Sequence, residues 1–303
     1  MVRFQWATPI SASKSVVSVP RRLPHTTAWE QTQVPVQEGE IPILVATSIP
    51  PDLLERIWIY TNFDCHLRCS YCVAGLAPGA AHPRLDLPVF RRLVDQAATL
   101  GFRQIALTGG EPLLHPNIVA MIEYATARID TIVLTSALPL TAALLRDLGG
   151  VDRSRLTVQV SLDSADPGVN DRLRGLGSWR QATCGLEMLL GAGYRVAVRA
   201  TLALTGEETL PDLVRFLNTL GVPAERVYGA PVAKVGRAKH GLDLSTARIW
   251  PEPTILSDGL YWHPLLIDPS LVVTPQFEPL ESSLQALVHM VDQVKPVRLK
   301  QVQ

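Results

Sequence analysis

An α/β fold built on a parallel sheet is what this 303-residue sequence predicts, and three observations carry the prediction. From Arg56 onward, short β-branched runs alternate with amphipathic segments, the pattern of repeated βα units. Gly101, Gly193 and Gly221 stand just past three of those segments, where glycine caps a helix most cheaply in the left-handed conformation. With 47% hydrophobic residues, a chain of this length can bury a substantial core as one large domain or as a domain with an appendage.

Taken in order, residues 1 to 54 read as an arm with scattered prolines and little periodicity, in which Ile43-Leu44-Val45-Ala46 offers one strand. Strands are expected near 56–62, 104–108, 131–135, 155–162, 195–202 and 226–232, and helices near 87–100, 116–127, 140–148, 178–192 and 208–220. Residues 55–235 thus hold six βα units. Past about 235 the alternation breaks down, and residues 236–303 read as a C-terminal extension with one helix near 280–294. Six such units can close as a barrel, stay open as a partial barrel, or lie flat as a doubly wound sheet, and periodicity does not choose among these.

The 28 basic and 28 acidic side chains cancel, so no net field draws the chain to nucleic acid, and no basic stripe is visible in the linear sequence. No stretch is long and apolar enough to cross a bilayer, and the N-terminus has no signal-like apolar region, so the expected location is the cytoplasm. In a reducing compartment, four cysteines are more naturally metal ligands or reactive thiols than a disulfide framework.

Three of those cysteines crowd into Cys65-His66-Leu67-Arg68-Cys69-Ser70-Tyr71-Cys72, just after the first strand. The spacing lets three thiolates converge on one metal centre. A four-iron cube normally takes four cysteines, so three leave one iron open, which suits catalysis rather than electron storage. The competing readings are a zinc site with His82 as a fourth ligand, a disulfide, and thiols that simply pack; a zinc-bound, non-catalytic scaffold is the corresponding rival function.

With Tyr71 before its third cysteine, this loop resembles the signature of the radical S-adenosylmethionine (radical SAM) superfamily, and the resemblance runs from about Arg56 to Gly236. It implies that Cys65, Cys69 and Cys72 hold a [4Fe–4S] cluster whose fourth iron is chelated by S-adenosylmethionine. Thr108-Gly109-Gly110-Glu111-Pro112 resembles the family's GGEP motif: Gly109 and Gly110 let the backbone turn sharply and approach a ligand, and the Glu111 carboxylate can accept hydrogen bonds from the cofactor's amine. Val158 to Ser164 resembles the segment facing the cofactor's ribose and carboxylate, with Ser161 and Asp163 on one side of a strand. Asp171-Arg172-Leu173-Arg174-Gly175 resembles the stretch carrying an arginine that pairs with the cofactor carboxylate, here Arg174. One departure is Leu134-Thr135-Ser136-Ala137 where many relatives have Thr-Asn-Gly; Ser136 keeps one hydrogen-bonding group there.

These segments all fall at C-terminal strand ends, the face that carries the active site in barrel enzymes. The resemblance therefore implies a partial (β/α)6 barrel. Tyr228 to Ala238 and Trp262 to Pro269 resemble the entry to the SPASM or twitch extensions of some relatives, yet no cysteine follows Cys184, so the extension reads as a short, cluster-free α/β cap. Cys184 sits mid-helix, as a packed thiol or as a hydrogen-atom donor to a substrate radical. Lys234, Arg237, His240, Trp262 and His263 could line the substrate side.

The implied activity is reductive cleavage of S-adenosylmethionine to a 5′-deoxyadenosyl radical that takes a hydrogen atom from a small metabolite or a peptide. Its outcome would be isomerisation, epimerisation or C–C bond formation in a biosynthetic pathway. The implied partners are an external electron donor of flavodoxin or ferredoxin type and the substrate. The alternative is a maturase acting on a peptide (RiPP) brought by a separate recognition partner, since the first 54 residues do not read as a winged-helix recognition domain.

Overall fold

The computed structural model describes residues 17–22, 29–34, 49–74, 83–202, 210–242, 249–268, 272–294 and 296. The strand expected at 43–46 and the candidate zinc ligand His82 lie outside them. The chain divides into two units, residues 1–47 and 48–303. In the first, β1 (Val17–Arg22) and β2 (Trp29–Val34) form an antiparallel hairpin that the proline-rich sequence did not announce.

The second unit is organised by one nine-stranded sheet. Its centre is a run of six parallel strands in chain order: β3 (Ile57–Asn62), β4 (Gln104–Gly109), β5 (Asp130–Thr135), β6 (Leu156–Ser161), β7 (Arg195–Thr201) and β8 (Val227–Ala230). Each lies within two residues of its expected boundaries because the β-branched runs are short and bounded by turn residues. β8 does not pair back onto the other edge, so the sheet is a partial barrel and not a closed one.

Side-chain alternation gives the sheet two faces. On β3, Ile57 and Ile59 enter the main hydrophobic core, while Trp58 and Tyr60 turn into the cavity. Helices α1 (Leu87–Leu100), α2 (Ile118–Thr126), α3 (Ala142–Asp147), α4 (Pro167–Arg174), α5 (Ser178–Gly191) and α6 (Leu210–Thr219) connect the strands. In α1 the residues Phe90, Leu93, Val94 and Ala97 recur at helical spacing and are buried. Gly101, Gly193 and Gly221 have φ of 85°, 75° and 92°, the left-handed values expected of them.

α4 was not anticipated as an element, although Asp166 and Pro167 announce it: Asp166 caps it by accepting from the Val169 N–H at 2.8 Å, and Pro167 occupies the first turn. Beyond residue 249 the chain adds β9 (Thr254–Leu256) parallel to β3, then β10 (Gly259–Tyr261) and β11 (Val272–Thr274) antiparallel. The extension therefore continues the barrel sheet past its first strand. Its last helix, α7 (Leu280–Val294), packs on α1, where Glu278 and Arg92 form a bidentate pair at 3.0 and 2.9 Å.

Candidate active site

The C-terminal ends of the parallel strands open into one cavity of about 310 Å³. Cys65, Cys69 and Cys72 line it together with Tyr71, Gly109, Gly110, Glu111, Ser136, Ser161 and Arg174. Four segments separated by up to about a hundred residues are gathered here because successive parallel strands put their ends on one face.

The cysteine loop leaves β3 with its side chains alternating. Cys65, Leu67 and Cys69 are half-buried, whereas His66, Arg68 and Ser70 are exposed. It is clamped from three directions. The C-terminal end of α4 leaves carbonyls without helical partners, and the loop supplies donors: Ser70 N–H to Leu173 O at 2.9 Å and Cys69 Sγ to Arg174 O at 3.9 Å. The Arg237 N–H donates to Cys72 O at 2.9 Å, and Gly236, at φ 58°, lies so close that a Cβ there would sit 2.2 Å from both Cys72 O and Val73 O. The Glu111 N–H donates to Asp64 O at 2.7 Å.

Burial dominates the electrostatics of Cys65 and Cys69. It pushes Cys65 up to about 11, with Glu111, Cys69 and Cys72 adding to the rise and the Leu67 N–H opposing it. Cys69 is also raised by burial, with the Arg174 guanidinium partly offsetting it. The thiols thus sense one another across the cavity wall. The chemistry of this donor set fits an iron–sulfur cluster: one short loop supplies three thiols, and all three line the same cavity. Among the described residues no three His, Cys, Asp or Glu side chains gather around a single-ion position.

The Gly-Gly-Glu-Pro turn is built differently from its sequence reading. Gly109 and Gly110 bear on the end of β3: a Cβ on Gly109 would meet Asn62 O at 2.2 Å, and one on Gly110 would meet Asp64 O at 2.3 Å. Their small size lets the turn dock against the cysteine loop. Glu111, only 2% exposed, accepts from Thr135 Oγ1 at 2.7 Å, Ser136 Oγ at 2.5 Å, and the N–H groups of Ser136 and Leu113 at 2.7 and 3.2 Å. A carboxylate has about four acceptor positions, so an ammonium reaching Glu111 shares with or displaces one of these donors. The departure at Ser136-Ala137 thereby gains a role: Thr135 and Ser136 hold Glu111. Ala137 adopts the left-handed φ of 61°, and Gly185 on α5 makes room for it, since a Cβ there would come 2.6 Å from that of Ala137.

Ser161 ends β6 and faces the cavity, but Asp163 does not. β6 stops at Ser161, so the strand alternation that would set both side chains on one face no longer applies. The Asp163 side chain is 0% exposed; its Oδ1 accepts from the Thr201 N–H at 3.0 Å, and its Oδ2 accepts from the Tyr71 hydroxyl and lies 3.6 Å from Arg174 Nη1. Arg174 donates to the Tyr71 hydroxyl at 2.5 Å. Burial raises Tyr71, with Arg174 opposing and Asp163 adding to the rise, whereas burial lowers Arg174 but is outweighed by Tyr71 and Asp163, so the tyrosine stays neutral and the guanidinium charged. Arg174 reaches the cavity with Asp163 behind it as its counter-ion.

Cys184 is a correction. It is exposed on α5, whose inward face carries Ala182, Thr183, Gly185, Leu186 and Leu189, and it does not line the cavity, so it is placed neither to pack nor to donate a hydrogen atom there. Of the five residues expected on the substrate side, Arg237 and His263 line the cavity; Trp262 is in the core with its Nε1–H on Ile249 O at 2.9 Å, and Lys234 and His240 are exposed. The sequence reading missed Trp58, Arg199 and Glu252. Arg199 was accessible in principle, as a charge alternating with Val198 and Ala200 in a buried strand. Glu252 had no local signal.

A family model described as the Radical SAM superfamily matches residues 59–220, just over half of the chain. This chain belongs to the radical SAM superfamily. It is similar to a GTP 3′,8-cyclase of Sinorhizobium medicae, 33% identical over 199 residues that make up 61% of this chain and 55% of that protein. The chain thus spans about half the length of the curated relatives it matches. Among solved structures, it is similar to anSMEcpe with bound AdoMet (TM-score 0.54, 11% identity, 80% of this chain and 84% of that one). It is also similar to Streptococcus suis SuiB bound to the precursor peptide SuiA (TM-score 0.51, 16% identity, 80% of this chain and 47% of that one). At these identities the structures speak for the fold, a partial barrel. A [4Fe–4S] cluster and S-adenosylmethionine are the cofactors of this superfamily, and its enzymes need an electron donor and a substrate. No helix among the described residues is long and apolar enough to cross a membrane.

Proposed function

We propose that Cys65, Cys69 and Cys72 bind three irons of the cluster and that S-adenosylmethionine occupies the cavity beside them, its amine toward Glu111 and its carboxylate toward Arg174. The observation that carries this is the convergence of the three thiols, Glu111, Ser136, Ser161 and Arg174 on a single cavity. When bound, the two cofactors supply a 5′-deoxyadenosyl radical that abstracts a hydrogen atom from the substrate. The chain itself orients and shields. Thr135 and Ser136 hold the Glu111 carboxylate in place; Asp163 and Tyr71 hold Arg174; and the α4 and Gly236 contacts fix the cysteine loop.

The substrate is a small metabolite, modified by isomerisation, epimerisation or C–C bond formation in a biosynthetic pathway. About 310 Å³ is at the low end for a ligand pocket and must admit the cofactor as well. The electron comes from a flavodoxin- or ferredoxin-type donor.

The test is anaerobic reconstitution with iron, sulfide, dithionite and S-adenosylmethionine. Wild type is expected to turn brown and to form 5′-deoxyadenosine. The triple variant Cys65→Ala, Cys69→Ala, Cys72→Ala is expected to do neither, and deoxyadenosine from it would overturn the assignment. Supplying the small-molecule and peptide fractions of a cell extract separately identifies the substrate class, and turnover confined to the peptide fraction would replace the metabolite by a peptide.

A further inference from the structure

The cavity also carries charged side chains to which the proposed function gives no part. Arg199 on β7 lines it directly across from Ser161 of β6 in the strand register. Burial lowers its pKa, as does neighbouring Arg56, while Glu252 opposes the shift. Among the described residues the Arg199 guanidinium makes no hydrogen bond and no ion pair, although its backbone carbonyl accepts from the Leu162 N–H at 3.2 Å. Its nearest candidate partner is committed elsewhere: Glu252 accepts from Trp58 Nε1–H and has its other oxygen 3.8 Å from His263 Nε2. Arg56 donates to Gln104 at 2.8 Å and stacks over Trp58. His263 is kept neutral, its pKa pushed down to about 4 by burial despite Glu252. Gln159, two residues before Ser161 on the same face of β6, has its Nε2 buried and without a partner among the described residues.

An unpartnered guanidinium in a confined site is costly unless a ligand completes it. We infer that Arg199 is the anchor for a carboxylate of the substrate, making this enzyme one that acts on a carboxylate-bearing small molecule. The inference rests on the proposed function for its placement of substrate in this cavity. Charge count chooses carboxylate over phosphate: Arg199 is countered in part by Glu252, its neighbour His263 is neutral, and neighbouring Arg56 is bonded to Gln104, so a monoanion is matched and a dianion is not. The planar fork of arginine fits a carboxylate through two parallel N–H donors. Arg199 is a specificity-determining residue, remote from the thiols' own contacts.

The test needs no turnover. Full-length protein is titrated with 4-fluorobenzoate, 4-fluorobenzamide and 4-fluorophenyl phosphate, matched in ring and differing in charge, and binding is read from 19F line broadening. Benzoate is expected to bind saturably and at least about tenfold more tightly than benzamide, with the preference lost in Arg199→Met and partly kept in Arg199→Lys, the size expected of one charge-assisted contact. Arg199→Met is also expected to raise the melting temperature, because it removes a desolvated charge that Glu252 counters only in part. Equal binding of benzamide, tighter binding of the phosphate, no saturable benzoate binding, or a preference unchanged in Arg199→Met would each overturn the proposal. So would a lower melting temperature, which marks a structural cation. Failure of wild type to form deoxyadenosine, with benzoate binding intact, would remove the proposed function and leave the anion site.

Discussion

Asp163 holds three groups at once: the Thr201 N–H, the Tyr71 hydroxyl and, at 3.6 Å, the Arg174 guanidinium. The Arg174 and Asp163 side chains are 9% and 0% exposed, so their pairing is not screened as a surface salt bridge would be. Asp163→Asn keeps the shape and removes the charge. It is expected to lower stability by about 3 kcal/mol in denaturant titration, the usual cost of leaving a buried charge without its partner. Because Asp163 lies behind Arg174, the loss should appear in the protein without any cofactor. The residues of this network were visible in the sequence, but their division of labour was not. Periodicity can say that Ser161 and Asp163 share a side only while the strand lasts, and it ends between them.

At the scale of elements, the site depends on loops meeting backbone to backbone. The β4 turn meets the end of β3 through Gly109 and Gly110, and the loop after β8 meets the cysteine loop through Gly236. Gly110→Ala places a methyl 2.3 Å from Asp64 O and 2.6 Å from Phe63 O, neither of which can rotate away. It is expected to cost about 2–3 kcal/mol, as overpacking does, and to lower the iron bound per chain on reconstitution. Gly191→Ala at the end of α5 meets nothing within 4 Å and is expected to be neutral or slightly stabilising in the same melts, which makes it the control. A Gly-Gly pair in a sequence announces close approach; that the end of β3 is one of the objects approached came only with the fold.

Over the whole molecule, one buried group links stability to pH through a part of the chain far from the cysteines in sequence. His263 accepts the Leu265 N–H on Nδ1 at 3.1 Å, so the neutral ring carries its proton on Nε2, and protonating Nδ1 would set two donors face to face. Its pKa is about 4 in the folded protein against the ordinary 6.5. The unfolded chain therefore takes up this proton first, and stability falls as pH drops from 6.5 toward 4, by about 3 kcal/mol at the lower end. Above pH 6.5 the residue has no such effect. In His263→Asn, which keeps an acceptor without the titration, the gap between wild type and variant is expected to change across that window in urea melts at fixed pH; an unchanged gap would show that His263 titrates normally.

The sequence by itself determined the six βα units, their near-exact boundaries, and the family, because each rests on local patterns: period-two runs, helical spacing, capping glycines, and a cysteine loop with Tyr71 inside it. It also brought the motifs to one face, since parallel strands leave their C-terminal ends together. The tertiary structure alone decided that the sheet stays open, that residues 254–274 extend it beyond β3, and that Cys184 faces outward. It alone brought Trp58, Arg199 and Glu252 into the cavity beside His263. Those four lie on segments up to about two hundred residues apart, and no local pattern encodes a neighbour reached only when the ninth strand in the chain pairs with the third.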